Sequence, residues 1–360
     1  MHKWGGIAVA EEKKVAEAVV AAPKKKITGK QVADFLLNNA MYIIILLVVV
    51  YVAIKAPAFL KLPSIVNIVS LTAAKLPIAL GIAGCIVLTG TDISAGRVVG
   101  LSACISASLL TTTFKVFPNM TDPLPLPIVL LLVMVVGAVV GLVNGFSVAK
   151  FKLHPFIVTL STQLIVYGII LLYLMSGVNN GQTLSGLTEG YRGFITGTLF
   201  SIGGVAVPNY VLYSIILTAL MWLIWNKTTF GKNMFAVGSN EEAANVSGVN
   251  VTKTIIMVFV LAGVMYSLTG FLDGARIASA NANTGLNYEC DAIAACVIGG
   301  VSFVGGIGRI SGIVVGVLLL QIIFTGLNFL SVDANMLYII KGLIILVACA
   351  IDMRKYLVRK

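Results

Sequence analysis

Ten stretches of this chain are almost purely apolar, near residues 40–56, 64–90, 96–114, 127–149, 155–175, 209–226, 254–272, 286–303, 310–330 and 336–352. A bilayer core about 30 Å thick takes about 20 helical residues, so the pattern predicts an all-α, polytopic transmembrane bundle of about ten helices. Two of the stretches do not read as plain spans. The 64–90 run contains Lys75 and Pro77, which predicts a piece at the outer interface followed by a short helix near 76–89 that ends inside the bilayer. The stretch 285–308, GLNYECDAIAACVIGGVSFVGGIG, is small-residue-rich and broken by glycine. Irregular backbone at membrane depth is tolerated only where protein buries it or a water-filled cavity meets it, so broken or re-entrant segments are expected at both places.

Composition agrees with the pattern: 58% of the 360 residues are hydrophobic and 11% charged, and the mean hydropathy is +1.01. The formal net charge of +11 does not describe a nucleic-acid-binding face, because the Lys and Arg residues sit between apolar blocks and at the termini. They describe topology instead. Lys3, Lys13, Lys14, Lys24, Lys25, Lys26 and Lys30 predict a cytoplasmic tail over 1–39, able to lie on the anionic lipid surface, ahead of a transmembrane domain over 40–360. Ten spans from an inside N-terminus also place the loop 227–253 and the C-terminus inside. Lys227, Lys232 and Lys253 then mark the loop, and Arg354, Lys355, Arg359 and Lys360 the C-terminus. The long 176–208 loop falls outside. Lys55, Lys61 and Lys115 on outer turns make this a bias and not a strict count.

No catalytic, metal or cofactor site is expected. Five Cys lie inside apolar runs without a C-x-x-C pair, the two His stand far apart, and no G-x-x-x-x-G-K-[ST] phosphate loop occurs. Three polar features remain. In LTGTDISAGRVVG, Leu88 to Gly100, Asp92 or Ser94 is the expected cap of a helix beginning near Ala95. Asp in apolar sequence is costly unless satisfied, so Thr91, Asp92, Ser94 and Arg97 read either as a capped turn at the inner surface or as a polar break lining the route of a hydroxylated solute. Glu289 and Asp291, two residues apart, cannot share a helix face and are not a paired acid and base. Asp291 is the second candidate for the pathway, and no Lys or His stands near it in sequence to act as a relay partner. Finally, Gly137, Gly141 and Gly145 repeat at four-residue spacing, as do Gly308, Gly312 and Gly316, which predicts close helix contacts, within the chain or between subunits.

The polar stretch FGKNMFAVGSNEEAANVSGVN, Phe230 to Asn250, interrupts this hydrocarbon. Ser239 or Asn240 can cap a helix whose first turn carries Glu241 and Glu242, which suits the positive helix N-terminus, and Gly248 can end it. A small, capped helix in a loop reads as a knob for a cytosolic partner. Here the chain resembles a known family: Glu242-Ala243-Ala244, three residues, then Gly248 are similar to the E-A-A-x-x-x-G loop of ABC importer permeases. Together with LTGTDISAGRVVGL and DAIAACVIGGVSFVGGIG, it resembles the ribose/galactose branch of bacterial sugar permeases, from about residue 40 to the C-terminus. That resemblance implies a homodimeric permease in the bacterial inner membrane. It would pass a monosaccharide from an extracytoplasmic binding protein to the cytosol, coupled through Asn240, Glu241, Glu242, Ala243, Ala244 and Gly248 to a separate ATPase. Galactose or a methyl galactoside is the expected solute, with ribose or another pentose, or an ion-coupled secondary transporter, as alternatives.

Overall fold

A computed structural model describes residues 40–357 of the chain; the Lys-rich segment 1–39 lies outside the described residues. One compact unit begins at Ile44. The described chain is overwhelmingly helical: α1 (Ala40–Lys55), a short 3-10 turn (Pro57–Leu60), α2 (Leu62–Val87), α3 (Ala95–Leu109), α4 (Leu126–Phe151) and α5 (Pro155–Met175). The 176–208 loop is not structureless. It holds α6 (Glu189–Thr196) and an antiparallel hairpin of β1 (Thr198–Ile202) and β2 (Val205–Pro208). Then follow α7 (Tyr210–Lys227), α8 (Thr229–Ser239), α9 (Glu241–Val246), α10 (Val251–Ile277), α11 (Tyr288–Ile298), α12 (Ile310–Phe329) and α13 (Ala334–Leu357).

Each of the ten apolar stretches contains a helix, and the all-α, polytopic membrane class holds. The count of ten is loose, because six of these helices among the described residues, α2, α4, α5, α7, α10 and α12, are long and apolar enough to cross a membrane. At 1.5 Å per residue α3 reaches about 22 Å and α11 about 16 Å, too short for the hydrocarbon core. These two short helices are the broken elements of the bundle.

The 64–90 stretch is a correction. It forms one unbroken helix, α2, with Pro77 in its interior. Proline has no N–H, so the carbonyl of Ala73, four residues back, loses its helical donor. Ser214 of α7 supplies another, its Oγ donating to Ala73 O at 2.6 Å in a buried contact. A neighbouring hydroxyl thus replaces the missing bond and the helix continues. Ser214→Ala is expected to destabilise the bundle by about 1 kcal/mol, the usual scale of an interhelical hydrogen bond in a membrane protein. Unfolding in mixed detergent micelles reads this, and an unshifted transition would mean that the Ala73 carbonyl is satisfied otherwise.

Helices α2 and α10 form the buried centre, whereas α4, α5 and α7 bury one face and expose Leu, Ile and Val on the other. The α4–α10 contact is made by glycine. A Cβ on Gly137 would strike Ser267 and the backbone of Gly263, one on Gly141 the backbone of Phe259, and one on Gly145 the backbone of Ile256. The second ridge seats Gly312 on Gly299 and Gly316 on Ala295, joining α12 to α11. Both glycine series therefore pack within the chain, where small residues let backbones approach and dispersion and weak hydrogen bonds accumulate.

Candidate functional site

The loop that opens at Lys227 folds into two short helices, and side-chain caps at their starts position both. Thr228 Oγ1 accepts from Gly231 N at 3.1 Å to start α8, and Asn240 Oδ1 accepts from Ala243 N at 2.9 Å to start α9. Asn240, not Ser239, is therefore the cap. Glu241 and Glu242 occupy the first turn, as helix polarity favours. The chain leaves α9 through Gly248 at φ +85°, with Val249 N donating back to Ala244 O at 3.0 Å. This backward bond over a left-handed glycine is a Schellman-type end. Asn250 then caps α10, accepting from Lys253 N at 2.9 Å.

Within α9, Ala244 is buried, while Glu242 and Ala243 are exposed. The tip residue, Val246, is 90% exposed. Sequence reading missed it, because a valine in a loop is unremarkable until its whole side chain projects outward. Behind the knob, Lys152 at the end of α4 forms an ion pair with Glu241 at 2.5 Å, exposed enough to add little stability but able to orient α9. The α8–α9 junction rests on the core through glycine. A Cβ on Gly238 would strike the carbonyl of Val87 at the end of α2, and Gly306 N, from the loop between α11 and α12, donates to that same carbonyl at 2.9 Å. The α8–α9 junction is thus in direct contact with the end of α2 and with the segment following α11.

The Asp92 turn lies in a buried polar network. Asp92 Oδ1 accepts from Ser94 N at 3.0 Å and from Ser94 Oγ at 2.6 Å. Asn144 of α4 donates to Ser94 Oγ at 3.1 Å and accepts from Thr162 Oγ1 of α5 at 2.6 Å. Helix α3 does begin at Ala95, but Ser94 makes no side-chain cap, because its hydroxyl is spent on Asp92. Thr159 Oγ1 donates to the Thr91 carbonyl at 3.2 Å and accepts from Ile93 N at 3.3 Å. Asp92 is 1% exposed and Asn144 fully buried. Asn144 and Thr162 each lie about 10 Å along their helices from the short α4–α5 turn, so the network is inside the bundle and not at its surface. It ties the α2–α3 turn to α4 and α5. Arg97, one turn into α3, donates Nη1 to the Ala282 carbonyl at 3.0 Å and lies over the Tyr167 ring, 4.1 Å from its centroid.

Asp291 is separate from that network. It faces Lys341 of α13, whose Nζ lies 2.9 Å from Oδ1 and donates to Oδ2 at 3.0 Å. No Lys stands near Asp291 in sequence, but the fold supplies one from fifty residues away along the chain. Glu289 is buried and turns the other way, its carboxylate lying against Gly96 of α3. The structure thus brings Thr91, Asp92 and Ser94 together, keeps Arg97 on the next turn, and leaves Asp291 in a different group. Asn240, Glu241, Glu242, Ala243, Ala244 and Gly248 form one knob. Among the described residues, no group of His, Cys, Asp and Glu is arranged to hold a metal ion.

Comparison with known proteins agrees with this architecture. The family described as branched-chain amino acid transport system / permease component matches residues 64–349. The galactose/methyl galactoside import permease protein of Haemophilus influenzae is 43% identical over 330 residues, covering 91% of this chain and 97% of that protein. Its namesake in Escherichia coli is 43% identical over 334 residues, covering 92% and 98%. The ribose import permease protein of Haemophilus influenzae is 32% identical over 335 residues, covering 91% and 97%. No solved structure matches the chain. A helical, multi-pass bundle with a capped knob between α8 and α10 and a family match over most of its length lead to one conclusion: the chain belongs to the family of permease components of membrane transport systems.

Proposed function

We infer that this protein is the membrane permease of an ATP-driven sugar importer, that its solute is galactose or a methyl galactoside, and that a separate ATPase drives it through α9. The observation that carries the reading is the knob itself: a six-residue helix, capped at both ends, pushing Val246 out at 90% exposure from an otherwise apolar chain. An exposed aliphatic tip on a rigid, small helix is suited to a partner's groove. The relatives' names support the sugar, since the galactose/methyl galactoside permeases are more similar to this chain than the ribose permeases, at 43% against 32% identity. An extracytoplasmic sugar-binding protein and a second copy of the chain complete the assembly, in a bacterial inner membrane with both termini in the cytosol. The positive residues of 1–39, of the coupling loop 227–253 and of the C-terminus support that orientation.

In this reading the solute passes through the transmembrane domain, 40–360. Thr91, Asp92, Ser94 and Arg97 close the route at the α9 end, and Asp291 belongs to the opposite half. The burial of Asp92, 1% exposed, supports a route that is closed at this point. ATP-driven closure of the ATPase would move α9, and the contact of Gly238 and Gly306 with Val87 would carry that movement to the turn that holds Asp92. Competition in uptake tests the solute. In membrane vesicles carrying the chain, its ATPase and the binding protein, saturating unlabelled galactose is expected to abolish ATP-driven uptake of labelled methyl galactoside, and the same excess of ribose to leave it intact. Suppression by ribose alone would transfer the chain to the pentose side of the family.

A further inference from the structure

Six residues that the coupling mechanism does not use meet where α2, α10, α11 and α13 converge. Asp273 of α10 is fully buried. Its Oδ1 accepts from Arg276 Nε at 2.6 Å, and its Oδ2 makes no hydrogen bond among the described residues, lying 4.0 Å from Lys75 Nζ of α2. The Lys75 ammonium sits over the Tyr288 ring of α11, 2.6 Å from its centroid. Asp291, three residues further along α11, holds Lys341 of α13. None of the three cations is sealed in. The side chains of Lys75, Arg276 and Lys341 are 16%, 23% and 24% exposed, and that of Asp291 is 15% exposed.

Partly exposed charges at this depth cannot face lipid. Lys75 is midway along a 26-residue apolar helix, and Lys341 lies about two turns inside the start of α13. A charge at membrane depth faces either a water-filled cavity or protein, and it marks solute and ion pathways. The group's chemistry narrows the solute. Two carboxylates accept from hydroxyl groups, three cations donate to them, and a tyrosine ring offers a flat apolar face. With three cations and two carboxylates the group nearly neutralises itself, so it suits an uncharged polyol better than an anion.

We propose that Lys75, Asp273, Arg276, Tyr288, Asp291 and Lys341 form a solute-binding subsite for a neutral monosaccharide, shut in the conformation described. This deepens the import reading and rests on it. In the open subsite a sugar hydroxyl takes the place of Lys75 at Asp273 Oδ2, Lys75 and Lys341 donate to ring or hydroxyl oxygens, and the pyranose C–H face replaces the Lys75 ammonium on Tyr288. The present opening is lined by Lys75, Tyr288 and Asp291 of this group and otherwise by apolar side chains of α2, α11 and α12, and it measures about 10 Å³, room for one water at most. Sugar entry therefore needs α11 to draw away from α2. Short α11 is joined on one side to the Gly299–Gly312 contact and through the following loop to the α8–α9 junction, so the same movement of α9 that opens the route would open the subsite.

Thiol labelling in the assembled transporter tests this. In a background where the partly exposed Cys290 and Cys349 are replaced by Ala, Lys341→Cys is exposed to a small, charged, membrane-impermeant thiol reagent in each nucleotide state. The expected result is labelling in at least one state, slowed by at least about threefold when a transported sugar, galactose or ribose, is supplied at saturation with the binding protein. Should Lys341→Cys not insert, Tyr288→Cys is read in the same way. Failure to label in every state, or labelling that the transported sugar leaves unchanged, overturns the subsite. Uptake by the unsubstituted chain in the same vesicles separates the two claims: uptake with no labelling or protection removes the subsite alone, and no uptake of either sugar removes the import reading together with it.

Discussion

Gly263→Val is expected to abolish recovery of folded protein. Gly263 of α10 faces Gly137 of α4 at a close helix crossing, and a Cβ there would overlap the Gly137 carbonyl. Neither neighbour can rotate away, because the obstructing atoms are backbone. The two helices would have to separate, losing contact along the whole ridge of Gly137, Gly141 and Gly145. Overpacking a core costs up to about 3 kcal/mol and occasionally more, and backbone obstruction places this case at the upper end. Since net stabilities are only about 5–15 kcal/mol, that is a large share. Size-exclusion recovery from detergent and the thermal transition of what remains measure it. Gly168→Ala is the control, because nothing lies within 4 Å of a Cβ at that position; it should be recovered like the unsubstituted chain. Normal recovery and stability of Gly263→Val would mean that α4 and α10 are not in contact through these glycines.

Val246→Asp is expected to cut sugar uptake at least about tenfold while leaving the permease folded. At 90% exposure the side chain contributes nothing to the bundle, so folding has no reason to change. If it fills an apolar groove in the ATPase, a carboxylate there costs several kcal/mol of desolvation, and each ~1.4 kcal/mol is a factor of ten in docking. Gly248→Val attacks the same knob by another route. Its φ of +85° is open to glycine and strained for a β-branched residue, although nothing obstructs the added atoms. The end of α9 would then tilt. Both variants should insert normally, and ATP hydrolysis should no longer follow sugar supply. Full uptake in both would return α9 to the status of an ordinary solvated loop.

The apolar stretches marked helices because twenty apolar residues leave the backbone no other way to satisfy itself in lipid. Local signals were equally readable: Ser239 or Asn240 as a cap, Gly248 as a stop, Ala95 as the start of α3. What could not be read is every bond between residues distant along the chain. Lys75 and Pro77 looked like a break because the Ser214 hydroxyl that repairs α2 comes from a different helix. Asp291 looked partnerless because Lys341 is on α13. Asp92 suggested a turn, while Asn144 and Thr162, which make it a three-helix network, are ordinary residues inside apolar runs. The glycine spacing indicated close packing, yet only the structure shows that both series face helices of the same chain. Asp273, the most deeply buried charge of the α2–α10–α11 group, gave no signal apart from being an Asp near the end of an apolar helix.

The most direct measurement is the energy source of uptake. In vesicles holding the permease, its ATPase and sugar-loaded binding protein, labelled methyl galactoside is followed with ATP present and all ion gradients collapsed by ionophores, and then with gradients imposed and ATP absent. The account predicts uptake in the first condition, none in the second, and loss of the first with Val246→Asp. Uptake driven by a gradient without ATP, indifferent to Val246→Asp, would contradict it and make the carboxylates at Asp92 and Asp291 the coupling sites of a secondary transporter.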